Sequence, residues 1–273
     1  MLKSNIRKRC CQYYDLCSAR IINSKMPIPD YNKIKNINRE PISVVAFDFN
    51  NLSPLEIFEL YNLILVSSSD YDIDELSKKM EGFFSRFNDV NFHSHEEKTT
   101  FYTLAEKIYL TCNQVGLSTD TSSLITASFL EVIDNAFSHN LGKWPTNHYK
   151  RAMSLIHNDT ENKTLLISVA DIGVGFFRTL KNKYPQINSE AEAIELAIQA
   201  NTSSRPQDYQ GHNTGGNGLF YLQKNIFNGI PGKLYIRSRG TLTEVLDQKQ
   251  TKLISSELPY NYGVNLFFTL NYE

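Results

Sequence analysis

The sequence predicts an α+β protein: a C-terminal α/β sandwich, a mixed sheet covered by helices on one face, preceded by a smaller strand-plus-helices unit. Three observations predict it. Apolar residues recur at helical spacing in 121–139 and form strand-like runs at 165–171 and 264–272. Helix-start signals of the capping-box type occur in both halves. A glycine-rich stretch, 211–218, separates a helical pattern from a strand-rich C-terminus.

Residues 1–41 mix basic, polar and tyrosine positions without periodicity and end among Pro27, Pro29 and Pro41, as expected of an arm. The run ISVVAFDF at 42–49 is rich in branched and aromatic residues and predicts a buried strand. Ser53 and Glu56 have capping-box spacing, and Pro54 suits the first turn of a helix through 55–66. Further helices are expected from Asp74 to near Phe87 and over 101–115, which makes 42–117 a small α/β unit. From 118 onward the expected order is helix 121–139, strand 165–171, helix 189–201, helix from Gly218 to Asn228, then strands 233–239, 241–246 and 264–272. Ser189 and Glu192 form another capping box, and Gly229 lies where a helix stop belongs.

With 273 residues and 41% apolar content the chain can bury a core. The net charge of −1, from 28 basic and 29 acidic residues, gives no field for nucleic acid or an anionic membrane. Cys10, Cys11, Cys17 and Cys112 form no C-x-x-C pair, so neither a zinc site nor a disulfide scaffold is expected. Basic residues Lys3, Arg7, Lys8 and Arg9 precede a polar stretch where a secretory signal needs an apolar core. No apolar run approaches the roughly 18 residues needed to span a bilayer. The expected location is the cytoplasm.

Three segments carry chemistry. On the 121–139 helix, Ile125, Phe129, Val132, Ile133 and Ala136 form a core stripe, while Glu131, Asn135 and His139 recur every four residues on another line and can face one ligand. LLISVADIGVGF is a strand ending in Asp171, Gly173 and Gly175. A carboxylate there can accept a hydrogen bond from an exocyclic amine, and the missing side chains let a flat ligand approach. In GHNTGGNGLFYLQKNI several glycines precede a helix, whose free N-terminal amides can hold phosphate oxygens. Each alone has a plainer explanation: a solvated helix face, a strand-ending turn, a common glycine loop.

Taken in order, E-x-x-x-N, D-x-G-x-G and a glycine-rich third box resemble the GHKL superfamily of ATP-binding proteins over residues 118–273, which implies the Bergerat fold. The matching positions are Glu131, Asn135, Asp171, Gly173, Gly175, Gly216 and Gly218. The resemblance implies that Asn135 coordinates Mg²⁺, that Asp171 binds the adenine amino group, and that Gly173 and Gly175 shape the adenine wall. Gly215, Gly216 and Gly218, followed by Leu219, would wrap the triphosphate under a lid at 202–213. Glu131 would be the general base, and His139 would support the pocket. Two departures stand out: Thr214 replaces the first glycine of the third box, and Gly263-Val264-Asn265-Leu266 stands where G-T-x-F is usual. Residues 47–60 also resemble a STAS-like domain, in which a strand runs into a helix with Ser-Pro near its start.

Within the superfamily, glutamate at 131 sides with ATP-hydrolysing and serine-kinase branches rather than sensor histidine kinases, and the chain looks nearest to the standalone anti-sigma-factor-kinase-like proteins. His95-Glu96 imitates the start of a phosphoacceptor box, but only 35 residues separate His95 from Glu131, too few for a dimerisation hairpin and the start of a catalytic domain. The resemblance therefore implies a Mg-ATP-dependent switch with slow ATPase activity in a bacterial regulatory or defence system. It leaves open a serine/threonine kinase of the anti-sigma-factor type, or a module whose nucleotide only changes its affinity for a protein partner. A homodimer is compatible with each. Arg205 in the lid, Lys224 on the following helix, and Trp144 and Tyr149 in an insertion are read as solvated or packing residues first.

Overall fold

The computed structural model describes residues 53–55, 58, 82, 84, 90–95, 101–139, 152–171, 173–200, 202, 218–227, 232–247, 250–258 and 263–272. The arm at 1–41, the strand expected at 42–49, Trp144, Tyr149, Arg205, Gly215 and Gly216 lie outside them, as does the expected lid apart from Thr202.

The elements run β1 (Val90–His95), α1 (Phe101–Gln114), α2 (Thr119–His139), β2 (Ala152–Asp159), β3 (Thr164–Asp171), α3 (Gly175–Leu180), α4 (Glu190–Ala197), α5 (Gly218–Phe227), β4 (Gly232–Ser238), β5 (Thr241–Val245), β6 (Thr251–Ser255) and β7 (Val264–Asn271). This is an α+β architecture. The strands form one seven-stranded sheet in the order β1-β2-β3-β7-β4-β5-β6. Every pairing among the described residues is antiparallel, where a mixed sheet was expected. The physical reason is the last strand: β7 returns between β3 and β4 and runs opposite to both, with Ile167 facing Phe268 and Leu234 facing Phe268 across the two ladders.

Local chemistry explains the helices. Leu104, Ile108 and Cys112, four apart on α1, are fully buried, whereas Tyr102 and Leu110 are exposed. Burial pushes the Cys112 thiol up to about 12. Gly116, at φ 83°, ends α1: its amide reaches Asn113 O and the Leu117 amide reaches Cys112 O, the two bonds of a Schellman stop. Helix α2 starts two residues earlier than expected because Ser118 Oγ accepts from the Thr121 amide at 3.2 Å. Ser189 caps α4 as expected, accepting from the Glu192 amide at 3.1 Å, but the Glu192 carboxylate reaches back to the Asn188 amide rather than to Ser189. That helix ends at Ala197, shorter than the expected 189–201.

Ile125, Phe129 and Ile133 of α2, Ile194 of α4, and Leu222 and Ile226 of α5 pack with Ile167, Leu234, Ile236, Leu266 and Phe268 into one core. Residues of α1 share it, and β1 pairs with β2, so sheet and core run continuously across position 117. The opposite sheet face is buried as well: Met153, Leu155, Tyr235, Phe267 and Leu242 lie there beside Ser168, Asn265 and Arg237. Tyr235 and Phe267 stack at 5.3 Å. Leu55, Phe58 and Phe84, helical positions ahead of β1, are also buried.

Candidate functional site

Helix α2, the end of β3, helix α3, the start of α5 and the start of β7 enclose a cleft with a volume of about 100 Å³. From α2 it receives Val132, Asn135 and Ala136, which the helical repeat puts on one face. Asn135 is half-buried there. Its neighbour is the first residue of α5: a Cβ added to Gly218 would lie 2.5 Å from Asn135 Nδ2 and 3.3 Å from Glu131 Cβ. Only glycine lets the N-terminus of α5 come this close to α2.

The opposite corner is Asp171, the last residue of β3 and 8% exposed. Its Oδ1 accepts from the Gly173 amide at 2.7 Å and from the Val264 amide at 3.3 Å. Gly263, at φ 78°, lies against it so tightly that an added Cβ would be 2.0 Å from the Asp171 carbonyl oxygen and 2.5 Å from Oδ1. Val264, which stands where the G-T-x-F pattern has threonine, donates to the carboxylate through its main-chain amide. The floor between the corners is apolar: Val169 and Ala170 from β3, Val264 and Leu266 from β7, and Leu219 from α5.

Of the residues expected from sequence, Asn135, Asp171, Gly175, Gly218 and Leu219 line this one cleft. Glu131 does not. It is exposed, one turn ahead of Asn135 on the same helical line and beside Gly218 at the rim. Gly173 is buried behind the cleft, where it donates to Asp171. His139 is the last residue of α2, and its side chain lies outside the described residues. Lys224 is exposed on α5. His95 closes a β-strand paired with Ala152, so it does not open a helix as a phosphoacceptor box requires.

Sequence reasoning missed Phe176, Thr179 and Leu180 of α3, as well as Ala197, while Thr202, the first residue of the expected lid, does line the cleft. The six-residue α3 is too short for a periodicity signal, yet Phe176 and Thr179, three apart, would share a face of any helix begun at Gly175. Chemically, the cleft offers an apolar slot for a flat ring, a fixed carboxylate acceptor at one end, and an amide with a helix N-terminus at the other. Among the described residues no group of three or more His, Cys, Asp or Glu side chains comes together to hold a metal.

No protein-family model matches the chain, and no curated protein matches it. Among the described residues no helix is long and apolar enough to cross a membrane.

Proposed function

We propose that the protein binds Mg-ATP in this cleft, as a Bergerat-type member of the GHKL superfamily, and works as a slow ATPase whose nucleotide state switches its interaction with a protein partner. The observation that carries the reading is convergence. Asn135, Asp171 and Gly218 come from three segments far apart in sequence, and all three line one cleft whose floor is apolar. In this reading Asp171 accepts from the adenine amino group while the Gly173 and Val264 amides hold it in place. The triphosphate lies toward the start of α5, and Asn135 gives one oxygen to Mg²⁺, which neutralises phosphate charge when bound. Glu131, at the rim, orients the water.

Calorimetric titration with Mg-ATP and a phosphate-release assay on the same protein test this. Wild type binds and releases phosphate slowly, Glu131→Ala binds with wild-type affinity but releases none, and Asn135→Ala loses the Mg²⁺-dependent part of binding. Phosphate release equal in wild type and Glu131→Ala would refute hydrolysis, and binding without turnover would leave the switch alone. The exposure of Glu131 favours one second reading, a serine/threonine kinase, because a base at the rim is accessible to the hydroxyl of a docked protein. Label from γ-phosphate appearing on a partner rather than in solution selects it.

A further inference from the structure

The amides opening α3 are not capped from within their own segment. Val174, at the N-cap, makes no side-chain cap bond, although the first amides of any helix need outside acceptors. They find them far away in sequence. The Phe176 amide donates to Ser238 Oγ at 3.2 Å, and the Phe177 amide donates to Glu190 Oε1 at 3.1 Å. The Ser238 hydroxyl donates to that same carboxylate oxygen. Space is equally constrained: a Cβ on Gly175 would be 2.9 Å from Arg239 Cγ and 3.0 Å from Ser238 Oγ.

We propose that Glu190, together with Ser238, is a positioning residue of the cleft, bracing the first turn of α3 so that Phe176 and Thr179 stand where a bound ligand meets them. The proposal rests on the nucleotide reading of the cleft. Phe176 and Thr179 line the wall, and the Thr179 hydroxyl donates back to Gly175 O at 2.7 Å, so the whole short helix moves with its first turn. The far end of α4 is tied as well: buried Gln223 Nε2 donates to Ile198 O at 2.6 Å, and Ala197 and Thr202 line the same cleft. Helix α4 is thereby a strut, with its Glu190 end behind one wall and its Ala197 end in another.

The test is Mg-ATP affinity by calorimetry and thermal stability, both on the full chain. Glu190→Ala weakens binding about tenfold, the order seen when a group supporting a binding residue is removed. Glu190→Gln stays within about threefold of wild type, because its amide oxygen can accept both bonds. Ser238→Ala weakens binding as Glu190→Ala does, the double variant is no weaker than either single one, and Ser238→Ala alone carries the measurement if Glu190→Ala does not fold. Tyr272→Phe, which removes a bond to Asn158 at the other end of the sheet, lowers stability without changing affinity. Wild-type affinity in Glu190→Ala or, if it does not fold, in Ser238→Ala overturns the brace alone, as does an equal loss in Tyr272→Phe. A wild type that binds no Mg-ATP overturns the nucleotide reading and the brace together.

Discussion

At one end of the β2-β3-β7 ladder polar side chains close the chain on itself, and at the other a carboxylate is held facing a cleft. In the 159–164 turn, Asp159 Oδ1 accepts from the Asn162 amide at 3.0 Å and Oδ2 from Asn162 Nδ2 at 2.7 Å. Thr164 bonds to Asn271, and the Tyr272 hydroxyl donates to Asn158 Oδ1 at 2.5 Å. Lys163, at φ 50°, turns the chain, and its carbonyl accepts from the Tyr272 amide. At the other end Asp171 is oriented by main-chain amides of Gly173 and Val264, with Gly263 pressed against it. Both ends carry an aspartate that accepts from an amide two or three residues on. The difference lies in the neighbours. An asparagine side chain engages the second oxygen of Asp159, whereas glycines bring bare backbone up to Asp171 and leave room beside it for a cleft.

Three substitutions break or sharpen that contrast, and they fall in order of size. Asp171→Ala has the largest effect. It leaves the Gly173 and Val264 amides without their acceptor and removes the ligand's, so calorimetry finds Mg-ATP binding weakened more than about 100-fold, and the melting curve shows about 2–3 kcal/mol of lost stability. Gly218→Ala comes next. Its Cβ would press on the Asn135 amide at 2.5 Å, so affinity falls about tenfold while stability changes by about 1 kcal/mol. Asp159→Ala is the smallest: denaturant unfolding shows about 1 kcal/mol lost, and Mg-ATP affinity stays at the wild-type value. An affinity loss in Asp159→Ala matching that of Gly218→Ala would erase the distinction between the ends.

Elements with their own signals were legible in the sequence. The stripe Ile125, Phe129 and Ile133 marked α2, Ser189 marked the start of α4, and the strand run ending in Asp171 marked β3. Strands β1, β2 and β6 were not. VNFHSH carries four polar side chains in six residues, AMSLIHND lacks alternation because five consecutive positions are buried on both faces, and TKLIS is an exposed edge. The site divides the same way. Asn135, Asp171, Gly175, Gly218 and Leu219 were visible because glycine spacing and helical repeat are local properties, while Phe176 and Thr179 became wall residues only through a helix capped by Ser238 and Glu190.

By itself, then, the sequence determined which segments become helices with strong apolar stripes or caps, and which polar and glycine positions recur together, since those depend on spacing along one segment. Tertiary structure alone decided that β7 enters between β3 and β4, antiparallel to both, and that Gly263 and Val264 orient Asp171. It also put Glu131 at the rim while Asn135 lines the cleft. These outcomes depend on contacts between residues up to 107 positions apart, and no local pattern encodes which distant backbone will come within hydrogen-bonding reach.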